Sequence, residues 1–182
     1  MQSELPGRIV IGGEGVRIRI GRDVQALPNL DLVLGPNCSL SVGNGCFLNA
    51  LTMDARDRGM VEIDDGVSFV HATGLHLAEA STIIIGRSCL FATDTKIFTS
   101  DYHSILDANT GRRVNHARDV VIGPEVWFGE RATVLKGARI GPQSIIGFSA
   151  VVSGEIPANC VAAGNPARVV RRGVRWTHAL ID

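Results

Sequence analysis

Aromatic side chains and net charge are both nearly missing from this sequence. Phe, Trp and Tyr make up 5% of its 182 residues, so the core of what reads as one domain must be aliphatic and small-residue. Lys plus Arg number 18 and Asp plus Glu also number 18, for a formal charge of zero. That balance excludes bulk electrostatic binding to nucleic acid or to an anionic membrane and leaves room only for a local basic patch. No apolar run nears the ~18 residues that span a bilayer, so no transmembrane segment is expected. The opening MQSELPGR lacks the apolar stretch of a secretion signal. Together these predict a cytoplasmic protein. Cys38, Cys46, Cys89 and Cys160 show no CxxC pairing. They read as four buried thiols in a reducing compartment rather than a disulfide framework or a zinc site.

Glycine is plentiful, at 21 residues, and it falls on a beat. Every sixth residue from Ile122 is large and apolar: Ile122, Phe128, Val134, Ile140, Ile146, Val152. Two positions before each of the last five stands a small or β-branched residue: Val126, Ala132, Ala138, Ser144, Ala150. Residues two apart share one face of a strand, so each pair points inward together. Glycine follows the large residue at Gly123, Gly129, Gly141 and Gly147, and is expected to turn the chain there. A strand this short must pair with a parallel copy one coil away. A period of six closes as a triangle with three repeats per coil, which predicts an all-β solenoid of the hexapeptide-repeat class. The repeat does not dictate the hand, and the usual crossover rule favours right-handed connections.

The beat is looser upstream. Ile85, Phe91 and Ile97 are in phase, as are Ile63, Phe69 and Leu75, and Val42 with Leu48. The register slips around "LAEAST" and around "MDARDRG", where small corner loops are predicted. The first 35 residues alternate and read as opening coils. Residues 1–163 are expected to form the solenoid. Residues 164–182, with the basic run "ARVVRRGVR", are expected to cap its open end, where strand edges would otherwise stay unpaired.

One stretch stops the beat: "IFTSDYHSILDANTGRRVNHARDVVIG", residues 97–123. A long excursion, at about 102–119, inside so regular a solenoid points to function. It carries Asp101, His103, Asp107, Arg112, Arg113 and His116. The register puts Asp101 at a small inward position, costly for a carboxylate without partners, and on one face with His103 in extended chain. His103, where the chain leaves the coil, suits a general base, with Asp101 or a backbone carbonyl holding its other ring nitrogen.

The ordered set "TSDYHSI", "DVVIGPEVWFGERATVLKGARIGPQSIIGFSAVV" and "IPANCVAAGNPARVV" resembles the left-handed β-helix hexapeptide-repeat acyltransferases. The likeness is greatest to sugar O-acetyltransferases of surface-polysaccharide and galactoside or maltose type. It is strong over 85–172 and weaker over 1–84. It implies left-handed triangular coils, a homotrimer, a saccharide acceptor, no metal, and acetyl-CoA in the groove between neighbouring subunits. Within it His103 matches the catalytic histidine, Trp127 the groove tryptophan of the "VW.G" motif, and Arg168 and Arg171 the basic residues that meet coenzyme A phosphates. His71 is the nearest register match to an acceptor-contacting asparagine. The chain departs from the family at Gly147-Phe148-Ser149 and Val152-Ser153-Gly154, which makes Phe148 and Ser153 its own versions of groove positions.

The chemistry expected is direct attack by a sugar hydroxyl on acetyl-CoA. His103 takes the proton and a backbone N–H near Gly129–Glu130 meets the oxyanion. No activated Ser or Cys suggests an acyl-enzyme. His71 and His76 also match the spacing of a histidine pair in γ-class carbonic anhydrases, which share the solenoid. Zinc needs three protein ligands, and no third histidine precedes His71. An amino-sugar N-acetyltransferase and a non-catalytic scaffold are the remaining alternatives.

Overall fold

The structure is a computed structural model that describes residues 7–26 and 29–181. Residues 1–6, where the sequence lacks the apolar stretch of a secretion signal, part of the opening coil at 27–28, and residue 182 lie outside the described residues. The chain winds around a triangular prism with three parallel sheets as its faces. The first face holds strands Gly7–Ile11, Leu30–Leu34, Thr52–Ala55, Gly74–Leu77, Lys96–Phe98, Thr133–Val134 and Val151–Val152. The second holds Arg17–Ile20, Ser39–Val42, Gly59–Ile63, Ser81–Ile85, Val120–Ile122, Arg139–Ile140 and Glu155–Ile156. The third runs from Gln25–Ala26 and Phe47–Leu48 through Ser68–Phe69, Leu90–Phe91, Trp127–Phe128 and Ile145–Ile146 to Cys160–Ala163. Among the described residues there is no helix, and so none long and apolar enough to cross a membrane.

The six-residue beat is the geometry of the later coils. Val121 lies opposite Arg139, and Trp127 opposite Ile145, each eighteen residues on. Both inward series are buried, from Val126 and Ala132 to Phe128 and Val134. Ser144, a polar member, donates its buried hydroxyl to the Pro157 carbonyl at 2.7 Å. The four cysteines take this same small position. All are free and buried, and burial pushes the Cys89 thiol up to about 12.

Two sequence expectations are corrected. The glycines that follow the large residues do not supply the left-handed turn; Glu125, Arg131, Gln143 and Ser149 do, with φ of 57, 58, 56 and 53°. The glycine is there because the next coil passes close: a Cβ at Gly123 would lie 2.8 Å from the Pro142 nitrogen, and one at Gly129 2.9 Å from the Phe148 nitrogen. The register slips, too, are mostly lengthened strands rather than corner loops. In coils such as Gly74 to Lys96, two faces carry strands of four and five residues, Gly74–Leu77 and Ser81–Ile85. Only the short corner at 78–80 separates them.

The C-terminal segment leaves the coil as strand Arg168–Arg172, which pairs antiparallel with Cys160–Ala163 at the edge of the third face. It then climbs the edge between the second and third faces. The Val174 N–H donates to the Asn159 carbonyl at 3.0 Å, and Trp176 Nε1 donates to the Glu125 carbonyl at 2.6 Å.

Candidate active site

The excursion leaves the edge between the first and second faces after Phe98 and rejoins the coil at Val120. Its base is closed by the Arg118 N–H donating to the Thr99 carbonyl at 3.0 Å. Its outer part is a small hairpin. Leu106 bridges Arg113 antiparallel, and the Val114 N–H donates to the Ile105 carbonyl at 2.9 Å. Asp107 closes the tip by accepting from the Asn109 and Thr110 amides and the Thr110 hydroxyl. This is the local chemistry that makes Asp and Asn turn formers.

His103 sits at the exit of this arm and is exposed. Its backbone N–H donates to the Asp101 carbonyl at 2.7 Å, a bond that skips one residue. The residue between, Tyr102, has φ of 63°. That combination is the rarer, strained form of γ-turn. Strain of this kind persists only where its surroundings hold it. Tyr102 is held outside the turn: its hydroxyl donates to Asp54 at 3.3 Å, the Arg56 guanidinium lies 4.9 Å over its ring, and the His76 ring meets it edge-on. Burial, with Asp54 alongside, pushes the Tyr102 phenol up to about 12.

Asp101 departs from expectation. It is exposed rather than inward, and its carboxylate accepts from Lys136 and from Asn115 Nδ2, not from the His103 ring. The excursion begins before this position, so the strand register no longer governs it. Lys136, only 15% exposed, also donates to the Asn115 carbonyl at 3.1 Å. Arg113 donates in bidentate fashion to Glu79 at 2.6 and 2.7 Å. The repeat pattern does not single out Asn115, Lys136, Glu79 or the pairing of Arg113. The signals it offers are Leu135, just before Lys136, at a slot where most repeats have glycine, and a glutamate inside the slipped "LAEAST".

The Lys136 ammonium, followed by the Asn115 amide, holds the Asp101 carboxyl below its ordinary value of 3.8. A depressed carboxylate contributes stability that is present above the ordinary value and lost as pH falls through the depressed one. The gap in melting temperature between wild type and Asp101→Asn is therefore expected to close as pH is lowered below 3.8. A gap that stays constant down to the acid transition would count against the pair.

On the third face and its edge with the first, Trp127, Gly129, Glu130 and Phe148 line one apolar cleft of about 500 Å³, together with Ile145 and Ala92. Trp127 points outward and is 39% exposed. Its indole stands 6.1 Å from that of Trp176, which the sequence reading passed over. Arg131 lies 5.6 Å over the Phe148 ring. The Gly129 N–H is spent on the Ile146 carbonyl at 2.7 Å. Among the described residues the Glu130 N–H has no partner, and the equivalent turn positions hold Pro124 and Pro142, which have none to give. Below Trp127 the outward column runs Ile145, Val161, Arg171.

The other candidates lie apart from this cleft. Ser153 and Arg168 line a separate depression of about 450 Å³ below the excursion edge. His71 is exposed on the edge between the third and first faces, in the corner ladder that continues to Glu130 and Phe148. His76 stacks on Phe98, centroids 4.6 Å apart. Among the described residues no three His, Cys, Asp or Glu side chains are grouped to hold a metal ion.

In a triangular prism each edge lies across from one face. His103 is on the edge between the first and second faces, and the Trp127 cleft is on the third. The body of one chain separates the two.

No family model matches the chain, but individual relatives do. The polysialic acid O-acetyltransferase of Neisseria meningitidis is 30% identical over 147 residues, covering 68% of this chain and 68% of the relative. That of Escherichia coli O1:K1 is 35% identical over 100 residues, covering 55% of this chain. The match spans 33% of that protein's length. The solved structure of the polysialic acid O-acetyltransferase OatWY superposes with a TM-score of 0.77 at 25% identity, covering 96% of this chain and 93% of that one. A galactoside acetyltransferase in complex with coenzyme A superposes with a TM-score of 0.54 at 21% identity, covering 87% and 64%, and shares the fold. Superposition at this coverage also carries the hand of the coils, which is left.

Proposed function

The chain belongs to the hexapeptide-repeat O-acetyltransferases, and from that premise we propose that it moves an acetyl group from acetyl-CoA to a hydroxyl of a sugar or polysaccharide precursor. The observation that carries the reading is His103, exposed in a strained turn on an arm that many bonds hold in place. A neutral imidazole is suited to take a hydroxyl proton near pH 7. The apolar cleft at Trp127 suits a pantetheine chain, with the Glu130 N–H free to donate to a developing oxyanion. Arg171, at the foot of the same outward column, suits the phosphates. Arg168 and Ser153 belong to the other depression and extend the groove only if the coenzyme crosses the end of the prism. His71, on the edge above Glu130, is the acceptor contact in this reading. Asp101 serves through Lys136 and Asn115 rather than through the imidazole.

The assembly is a homotrimer in this proposal, because the catalytic edge of one chain needs the third face of another. Cyclic symmetry repeats that single contact until it closes. Apolar side chains stand exposed on both halves: Ile105, Leu106 and Val114 on the arm, Phe148 and Trp127 at the cleft. We place the protein in the cytoplasm, where acetyl-CoA and reduced thiols such as its four free cysteines coexist.

Two measurements test this. Release of free coenzyme A thiol from acetyl-CoA should depend on a saccharide drawn from a panel of sugars and nucleotide-sugars. No release with any of them, together with no binding of acetyl-CoA, overturns the reading. For the shared site, His103→Ala and Trp127→Ala chains are unfolded and reassembled together. At acetyl-CoA well below KM, Trp127→Ala alone is expected to be down about tenfold. The mixture should rise to roughly a quarter of wild type, since random assembly pairs an intact edge with an intact face at about that frequency. Activity that stays at the mean of the two variants places both groups in one chain.

A further inference from the structure

We propose that Asn115 is the positioning residue for His103: its side-chain amide fixes the backbone just after the histidine and the Asp101 carboxylate just before it, and so sets where the imidazole is presented. This rests on the reading of His103 as the base. Asn115 lies on the returning arm and is 6% exposed. Its Nδ2 donates to the His103 carbonyl at 2.7 Å and to the Asp101 carboxylate at 2.7 Å. Its Oδ1 accepts from the Ile105 N–H at 2.7 Å and from Arg113 Nε at 3.2 Å. Every donor and acceptor of the amide is therefore used.

The pattern imitates a neighbouring strand. A strand would pair with the carbonyl of one residue and the N–H of the residue two further on, and the amide does this to residues 103 and 105. On the other side, the His103 N–H is tied into the turn centred on Tyr102. A positive φ at a tyrosine is strained and needs surroundings that over-determine it. Asn115 meets that need at three points, Asp101, His103 and Ile105, which bracket Tyr102.

General closure of the loop is handled elsewhere. Thr99 and Arg118 close the base, Ile105 and Val114 pair by backbone, Asp107 forms the tip, and Arg113 anchors to Glu79. Those contacts hold the arm without Asn115. What Asn115 adds is the hold on the His103 carbonyl and on the Ile105 N–H, for which no other partner stands among the described residues. None of the residues that line the Trp127 cleft belongs to this network, and in the assembled site that cleft comes from the neighbouring chain, so binding of acetyl-CoA should not sense the loss of Asn115.

The experiment uses Asn115→Ala and the near-isosteric Asn115→Asp. The aspartate keeps an acceptor for the Ile105 N–H but gives up both donations, and sets a second carboxylate beside Asp101. In both variants kcat is expected to fall by about 100-fold, the scale of a displacement of about 1 Å at a reacting group. KM for acetyl-CoA should stay within about twofold, as for a change that leaves ground-state binding alone. Amide hydrogen exchange gives a readout independent of catalysis. Protection of the Ile105 amide should be lost in Asn115→Ala and kept in Asn115→Asp, while the Val114 and Gly111 amides stay protected in both. Unchanged exchange at Ile105 in Asn115→Ala, unchanged kcat, or loss of Val114 and Gly111 protection along with turnover each overturns the proposal. Turnover that survives His103→Ala overturns the assignment of the base itself. Turnover lost in His103→Ala but intact in both Asn115 variants overturns only the role of Asn115.

Discussion

Replacing His103 with alanine is expected to lower turnover by ~10²–10⁴-fold, the usual share of a positioned general base, and to leave the melting temperature where it is. The second half follows from the structure. His103 is exposed and outside the buried core, and its backbone bonds to Asp101 and Asn115 do not involve the imidazole. Truncation therefore opens no cavity and strands no buried partner, the two mechanisms that make single substitutions costly. KM for acetyl-CoA should also hold, because the cleft that suits the coenzyme lies on another face. His76 is the control: it stacks on Phe98 and meets the Tyr102 ring edge-on, and burial lowers its affinity for a proton. A variant at His76 is expected to shift stability rather than chemistry. The two histidines thus separate base from scaffold in one pair of assays, and turnover within tenfold of wild type in His103→Ala would remove the imidazole from the mechanism.

The same contrast explains what could be read from the sequence. Period six is a statement about side-chain direction, so it located the inward columns at Val126, Ala132 and Phe128, all buried, and exposed the excursion as the place where the pattern fails. It did not reach inside the excursion. There the structure depends on single polar atoms, such as Asn115 Oδ1 meeting the Ile105 N–H, and no periodicity marks them. Asp101 shows the limit. Its register slot was legible but its orientation was not, because the chain had already turned outward under the bonds from Lys136 and Asn115. Trp176 went unnoticed for a related reason. It lies in a tail without repeat, and its place beside Trp127 follows from a hydrogen bond to Glu125, 51 residues earlier in the chain. The lengthened strands at the register slips show the same limit. The run "STIII" does not alternate in polarity, and the alternating burial of Ser81, Ile83 and Ile85 comes from the strand's pairing with Gly59–Ile63.

Phe91→Ala is expected to destabilise the fold by ~3–5 kcal/mol, read as a lowered denaturant midpoint. Phe91 is fully buried and stacks between Phe69 at 4.8 Å and Phe128 at 4.5 Å. In a sequence with six phenylalanines, half of them form this single column on the third face. A solenoid is held together chiefly by contacts between adjacent coils, and Phe91 supplies them on both sides at once. It also sits at the junction between the wide coils above and the eighteen-residue coils below, the level at which the excursion departs. Removing its ring leaves a cavity that the aliphatic neighbours cannot close, since each is fixed by its own strand pairing. The N-terminal coils should then uncouple from the C-terminal ones, and the unfolding transition should broaden or split as well as shift. Phe148→Ala sets the scale, because that ring is 60% exposed and its loss should cost no more than about 0.5 kcal/mol, as for an ordinary surface substitution. Equal midpoints for the two variants would mean that the phenylalanine column is not what joins the two halves. In that case the join must come from the backbone ladders alone.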